Sequence, residues 1–220
     1  MRPRSKTGAD LQPPTTATPA SVDLLWLPLG AGGRFVAFNG RLYEFIQARR
    51  EHRRPLDLYH TALEVSVPEG RFVIESAWPI PDSHPEERGV TIQGPVWSPY
   101  LGRFRTFRNE IRCWRDGSIA DFEEAVASPQ RVTDDLNQAR AVLATTKIVP
   151  SYVWGRDQLH IGEMWNSNSV ISWILTVAGI SASDVRPPAG GRVPGWITGV
   201  LAAENSNPRF THPGLPVTTG

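Results

Sequence analysis

EMWNSNSVISWILTVAGI (residues 163–180) begins with polar side chains around a tryptophan and turns into an apolar helix. Val170, Ile171, Ile174, Leu175 and Ala178 recur at helical spacing, which predicts a helix over Asn168–Ala178 with one buried stripe. Gly179 follows, as suits a left-handed C-terminal cap. The doubled Asn-Ser pair at the mouth of this helix has two readings. In the first, Ser167 or Asn168 is simply an N-cap, since the side-chain oxygens of Ser and Asn accept from first-turn amides. Alternatively, Ser167 lies four residues before Ile171 and seven before Ile174, so it follows the same stripe toward the core. There the helix's free amides and its dipole stabilise negative charge, as a nucleophile and its oxyanion require.

Working outward, the pattern around this helix is that of an α+β domain. Phe38, Leu42, Phe45 and Ile46 predict an amphipathic helix over Phe35–Arg50, after a short strand and Gly-rich turn at 24–33. That turn is not a phosphate-binding loop, because no Gly-Lys-Ser/Thr follows. LYHTALEVSV (58–67) alternates with period two, and PEG leads into RFVIESAW (71–78), which predicts a hairpin turning at Gly70. GVTIQGPV (89–96) predicts a further strand. In RFRTFRNEIRCW (103–114), Phe107, Ile111 and Cys113 share an apolar face, opposite an outer face of Arg108, Glu110 and Arg112. A Thr/Asp-capped helix is expected within 133–147, and GWITGVLAAE predicts a final short element. Residues 1–22, rich in Pro, Thr, Ala and Ser, read as a disordered leader. Residues 23–205 then form one domain, and 206–220 a flexible tail.

Bulk properties exclude several classes of function. The net charge of +1 gives no electrostatic case for nucleic acid or an anionic membrane as the main partner. The single cysteine, Cys113, rules out an internal disulfide and a multi-cysteine zinc site, and it reads as a small core hydrophobe. No apolar run reaches the ~18–20 residues that span a bilayer. The basic start is not followed by an apolar signal segment, so the expected compartment is the cytoplasm. No metal or organic cofactor is called for.

A serine nucleophile needs a base, and the base needs a group to orient it. His52, His84, His160 and His212 lie in charged, Pro-rich or tail segments. His60 sits early in a regular strand, where a histidine is either structural or such a base. Glu75 lies on the partner strand, between Ile74 and Ser76, where a carboxylate calls for a partner. That partner is either His60, brought within a residue or two by the hairpin, or an arginine on the sheet face. Around Ser167, Asn166 and Asn168 are candidate oxyanion donors. Arg156 and Asp157 in WGRD line a cleft, brace the loop or bridge each other, and Trp154, Trp165 and Trp173 either wall a groove or fill the core.

YHTALEV, RFVIESA and WNSNSVISWILTVAGI, in that order over residues 58–180, resemble the histidine strand, third-residue strand and nucleophile helix of the circularly permuted papain-like superfamily. That branch includes NlpC-like peptidase relatives and lecithin:retinol acyltransferase-like enzymes. The chain is also similar to a group of actinobacterial proteins sharing WGRD and MWNSNS segments. The resemblance implies an antiparallel sheet packed on the nucleophile helix, with His60 as base, Glu75 as orienting residue and Ser167 where the family has cysteine. It further implies a hydrolase or acyltransferase acting on an amide, ester or thioester of a peptide, lipid or small molecule. The change of nucleophile leaves the other outcome open, a catalytically inactive module that binds through the same cleft, since fold does not carry function across such a change.

Overall fold

A computed structural model describes residues 19–29, 48–49, 52–79, 84–119 and 122–206. The expected leader, up to residue 18, and the tail beyond Ser206 lie outside the described residues. So do the Gly-rich turn and most of the helix expected over Phe35–Arg50, of which Ala48 and Arg49 are described and helical.

The chain is a mixed α+β domain. Its strands are β1 (Ser21–Pro28), β2 (Asp57–Val67), β3 (Gly70–Ala77), β4 (Val90–Pro95), β5 (Arg108–Arg115), β6 (Gln130–Thr133) and β7 (Gly191–Arg192). Six of them run antiparallel in the order β4-β5-β3-β2-β1-β6, and β7 adds to the start of β2 in parallel. The helices are α1 (Leu136–Thr145), α2 (Ser167–Val177) and α3 (Trp196–Ser206). Strand β1 starts at Ser21, inside the expected leader, because Ser21 and Val22 are buried against Ser66 and Val65 of β2.

Alternation along β2 divides the core. Tyr59, Leu63, Val65 and Val67 join Val22, Leu24, Trp26 and Ile74 under α2, which contributes Val170, Ile171, Trp173, Ile174 and Leu175. Ala62 faces the other way, with Leu25 and Leu27, in a smaller cluster covered by Ile119 and Ala125. The hairpin turns where expected, with Val67 opposite Gly70, which takes φ 137°. Helix α1 is capped by Asp135, whose carboxylate accepts from the Gln138 amide at 2.8 Å.

Two elements differ from the sequence reading. The stretch 103–107 forms 3₁₀ turns, and β5 begins only at Arg108. The face of β5 expected to be a charged outer surface is buried: Glu110 is 0% and Arg112 3% exposed. A 3₁₀ turn at Glu86–Arg88 brings Arg88 over that face, where the charges neutralise one another.

Candidate functional site

The mouth of α2 is closed by the side chains that the sequence doubles. Asn166, and not Ser167 or Asn168 as expected, is the N-cap, and its Oδ1 accepts from the amides of Asn168 at 2.9 Å and Ser169 at 3.3 Å. Ser169 completes a capping box by accepting from the Asn166 amide at 3.1 Å, and its hydroxyl donates to the Gly195 carbonyl at 2.7 Å. Asn166 Nδ2 donates to the Pro194 carbonyl at 2.9 Å. Asn168 Nδ2 donates to the carbonyls of Tyr59 at 3.0 Å and Pro194 at 2.9 Å, while its Oδ1 accepts from Thr61 Oγ1 at 3.0 Å. Both amide side chains expected to face an oxyanion are therefore spent on structure, and the cap occupies the amides that would have stabilised one. Ser167, the first helical residue, is half-buried, and its hydroxyl makes no hydrogen bond among the described residues. The expectation that it points into the core is corrected: the inward positions are Asn168, Ser169 and Ser172.

The expected base lies on the wrong side of the sheet. Thr61 faces α2 through its bond to Asn168, so its neighbour His60 leaves the strand on the opposite face. His60 is directly opposite Leu27, whose side chain lies in the smaller cluster away from the helices. Leu63 pairs with Ile74, and continuing this register puts Glu75 opposite Ala62, diagonal to His60 and on its face. The hairpin thus places His60 and Glu75 on one face as expected, but with the sheet between them and Ser167. The Ser167–His60–Glu75 triad is not assembled in this fold.

Glu75 follows the arginine alternative. It accepts from Arg112 Nη1 at 3.0 Å, and Arg112 also donates to Glu110 at 3.1 Å and to the Trp78 carbonyl at 2.6 Å. Arg88 meets Glu110 through two bonds, at 2.7 and 3.1 Å, and Gln93 adds a fifth side chain at 3.2 Å. Burial pushes the Glu110 carboxyl up, yet hydrogen bonds from Arg88 and Arg112 outweigh it and hold the pKa below the usual carboxylate value. A carboxylate between two guanidiniums is a structural brace, and the network needs no ligand to be satisfied.

Arg156 and Asp157 engage the loop and not each other. Arg156 Nε donates to the Trp97 carbonyl at 2.7 Å. The Asp157 carboxylate accepts from the amides of Gly162 at 2.8 Å and Ile161 at 3.1 Å. Burial raises its pKa, but these amides win and lower it. Trp165 and Trp173 are core, at 3% and 4% exposure, whereas Trp154 is half-buried and tilts against Trp78 with centroids 5.9 Å apart. Cys113 packs against the main core, and burial pushes its thiol up despite Thr146 and Lys147. Among the described residues no group of three or more His, Cys, Asp or Glu side chains could hold a metal ion.

Comparison with known proteins finds no matching family model, no matching curated protein and no matching solved structure. No described helix is long and apolar enough to cross a membrane.

Proposed function

We propose that this chain is a binding domain of permuted papain-like descent in which Ser167 is not a nucleophile. Descent is supported by the order of a histidine strand, a Glu strand and an Asn-Ser-capped helix. The observation that carries the loss of catalysis is the separation of Ser167 and His60 by the sheet: Thr61, not His60, faces α2. A serine hydroxyl cannot be held as an alkoxide, so without a base in reach it does not attack acyl carbon. A binding role is further supported by a strained, solvent-facing tryptophan, Trp97.

The test is labelling of the full chain with a fluorophosphonate probe, beside Ser167→Ala and His60→Ala. No labelling that depends on Ser167 is expected. Labelling of wild type that both variants abolish would restore the acyl-transfer reading.

A further inference from the structure

The near-zero net charge conceals a local asymmetry in the β4–β5 connection. From Trp97 to Arg108 the sequence reads WSPYLGRFRTFR, with three arginines and no acidic residue. Three of its four large rings are turned outward: Tyr100 is 85%, Trp97 55% and Phe104 47% exposed, while Phe107 is half-buried, its ring 6.1 Å from that of Trp97. Two successive 3₁₀ turns, Leu101–Arg103 and Arg105–Phe107, shape this segment, and neither buries a residue. Arg108 braces it from the base, its Nε donating to the Gly102 carbonyl at 2.6 Å.

Trp97 is presented at a cost in backbone conformation. Its φ is 62°, a left-handed geometry that side chains with a β-carbon rarely adopt. The WGRD segment enforces it. The Trp97 amide donates to the Trp154 carbonyl at 2.8 Å, and Arg156 holds the Trp97 carbonyl at 2.7 Å. Gly155 passes so close beneath the indole that a β-carbon there would stand 2.9 Å from Trp97 Cδ1. Three residues thus fix an exposed indole that contributes little to the core, as a contact residue would be fixed.

We propose that this segment docks the protein on an anionic lipid surface, with Trp97, Tyr100 and Phe104 at the level of the headgroups and Arg103 and Arg105 against their phosphates. The proposal rests on the binding-domain reading and names its partner. Exposed indole, phenol and phenyl rings suit the membrane interface, where one end of the ring is apolar and the other wet. Arginines beside them complement negative lipid. The adjoining hollow, lined by Pro95, Pro99 and Gly102, is open, and its Arg108 is already bonded to the backbone.

The experiment is co-sedimentation of the full chain with vesicles of phosphatidylcholine alone or mixed with phosphatidylserine, at low and high salt. Binding to the mixed vesicles is expected, weakened by salt. Tyr100→Ala and the double variant Arg103→Gln/Arg105→Gln should each lower it about tenfold or more, with circular dichroism unchanged. Equal binding to neutral vesicles, no binding to either, or variants that bind like wild type would overturn the proposal. So would polyglutamate binding that depends on Tyr100 while vesicles are ignored, which would point to an acidic peptide instead. None of these failures bears on Ser167, whose role is decided by labelling.

Discussion

Thr61 Oγ1 donates to Asn168 Oδ1 at 3.0 Å across the junction of β2 and α2, deep in the molecule. This bond marks the face of β2 that meets the helix, the face that also carries Tyr59, Leu63 and Val65. Thr61 turns toward α2, so His60 turns away, and Asn168 serves as a clamp between Tyr59, Thr61 and Pro194.

Removing the clamp is expected to be costly while removing Ser167's hydroxyl is not. Asn168→Ala strands the Thr61 hydroxyl and weakens the satisfaction of two carbonyls. With ~1–3 kcal/mol for each buried polar group left unpaired, a loss of about 2–4 kcal/mol is expected in urea denaturation. Ser167→Ala should stay within ~0.5 kcal/mol of wild type, since a half-exposed hydroxyl without a bond is replaced.

Gly195 is a second support of the cap. It has φ 80°, and a β-carbon there would come 2.6 Å from Asn166 Oδ1, the atom that caps α2. Gly195→Ala therefore strains its own backbone and displaces the cap. Thermal denaturation should show a loss exceeding the ~1 kcal/mol typical of a cap removed by Asn166→Ala in an exposed helix.

The Glu110 network predicts a strong response to loss of one charge. Glu110→Gln keeps the shape but leaves Arg88 and Arg112 buried with less compensation, at an expected cost of about 3–5 kcal/mol. Glu75→Gln should cost less, because its side chain is 18% exposed and water takes part of the lost role.

The same network sets a pH dependence. The folded-state pKa of Glu110 is depressed, so its stabilisation is present above the unfolded carboxyl pKa and is lost as pH falls through the folded one. Stability measured by urea denaturation should decline on the acid side, and in Glu110→Gln that decline should be shallower. An equal slope in both proteins would mean that other carboxylates control the acid limb.

Much of the fold was legible because it follows from periodicity. The alternation of β2, the hairpin at Gly70, the cap of α1 and Gly179 with φ 81° all came from local pattern, whereas the cap of α2 falls on Asn166, just before the two residues expected to supply it. The site was read less well. Period two assigned His60 and Thr61 to opposite faces, but not which face the helix covers, since that depends on long-range packing. Glu110 and Arg112 read as solvated because nothing local signalled that Arg88, over twenty residues earlier, would fold across them. A signal for the polar seam was present: Ser169, Ser172 and Thr176 recur on one face of α2, and two of them bond α3 or its approach, Ser169 to Gly195 and Ser172 to Trp196. Trp97 carried no mark, because its left-handed backbone is imposed by WGRD from across the sheet edge.

The most direct measurement is the iodoacetamide alkylation rate of Ser167→Cys against pH, with and without His60→Ala. Cys113, half-buried in the core, is replaced by Ala in both proteins. The expected result is one profile for both, that of a thiol at a capped helix start, because the sheet separates Cys at this position from His60. A rate raised at low pH in the first protein and lost on His60→Ala would contradict the separation and return Ser167 to the place of a nucleophile.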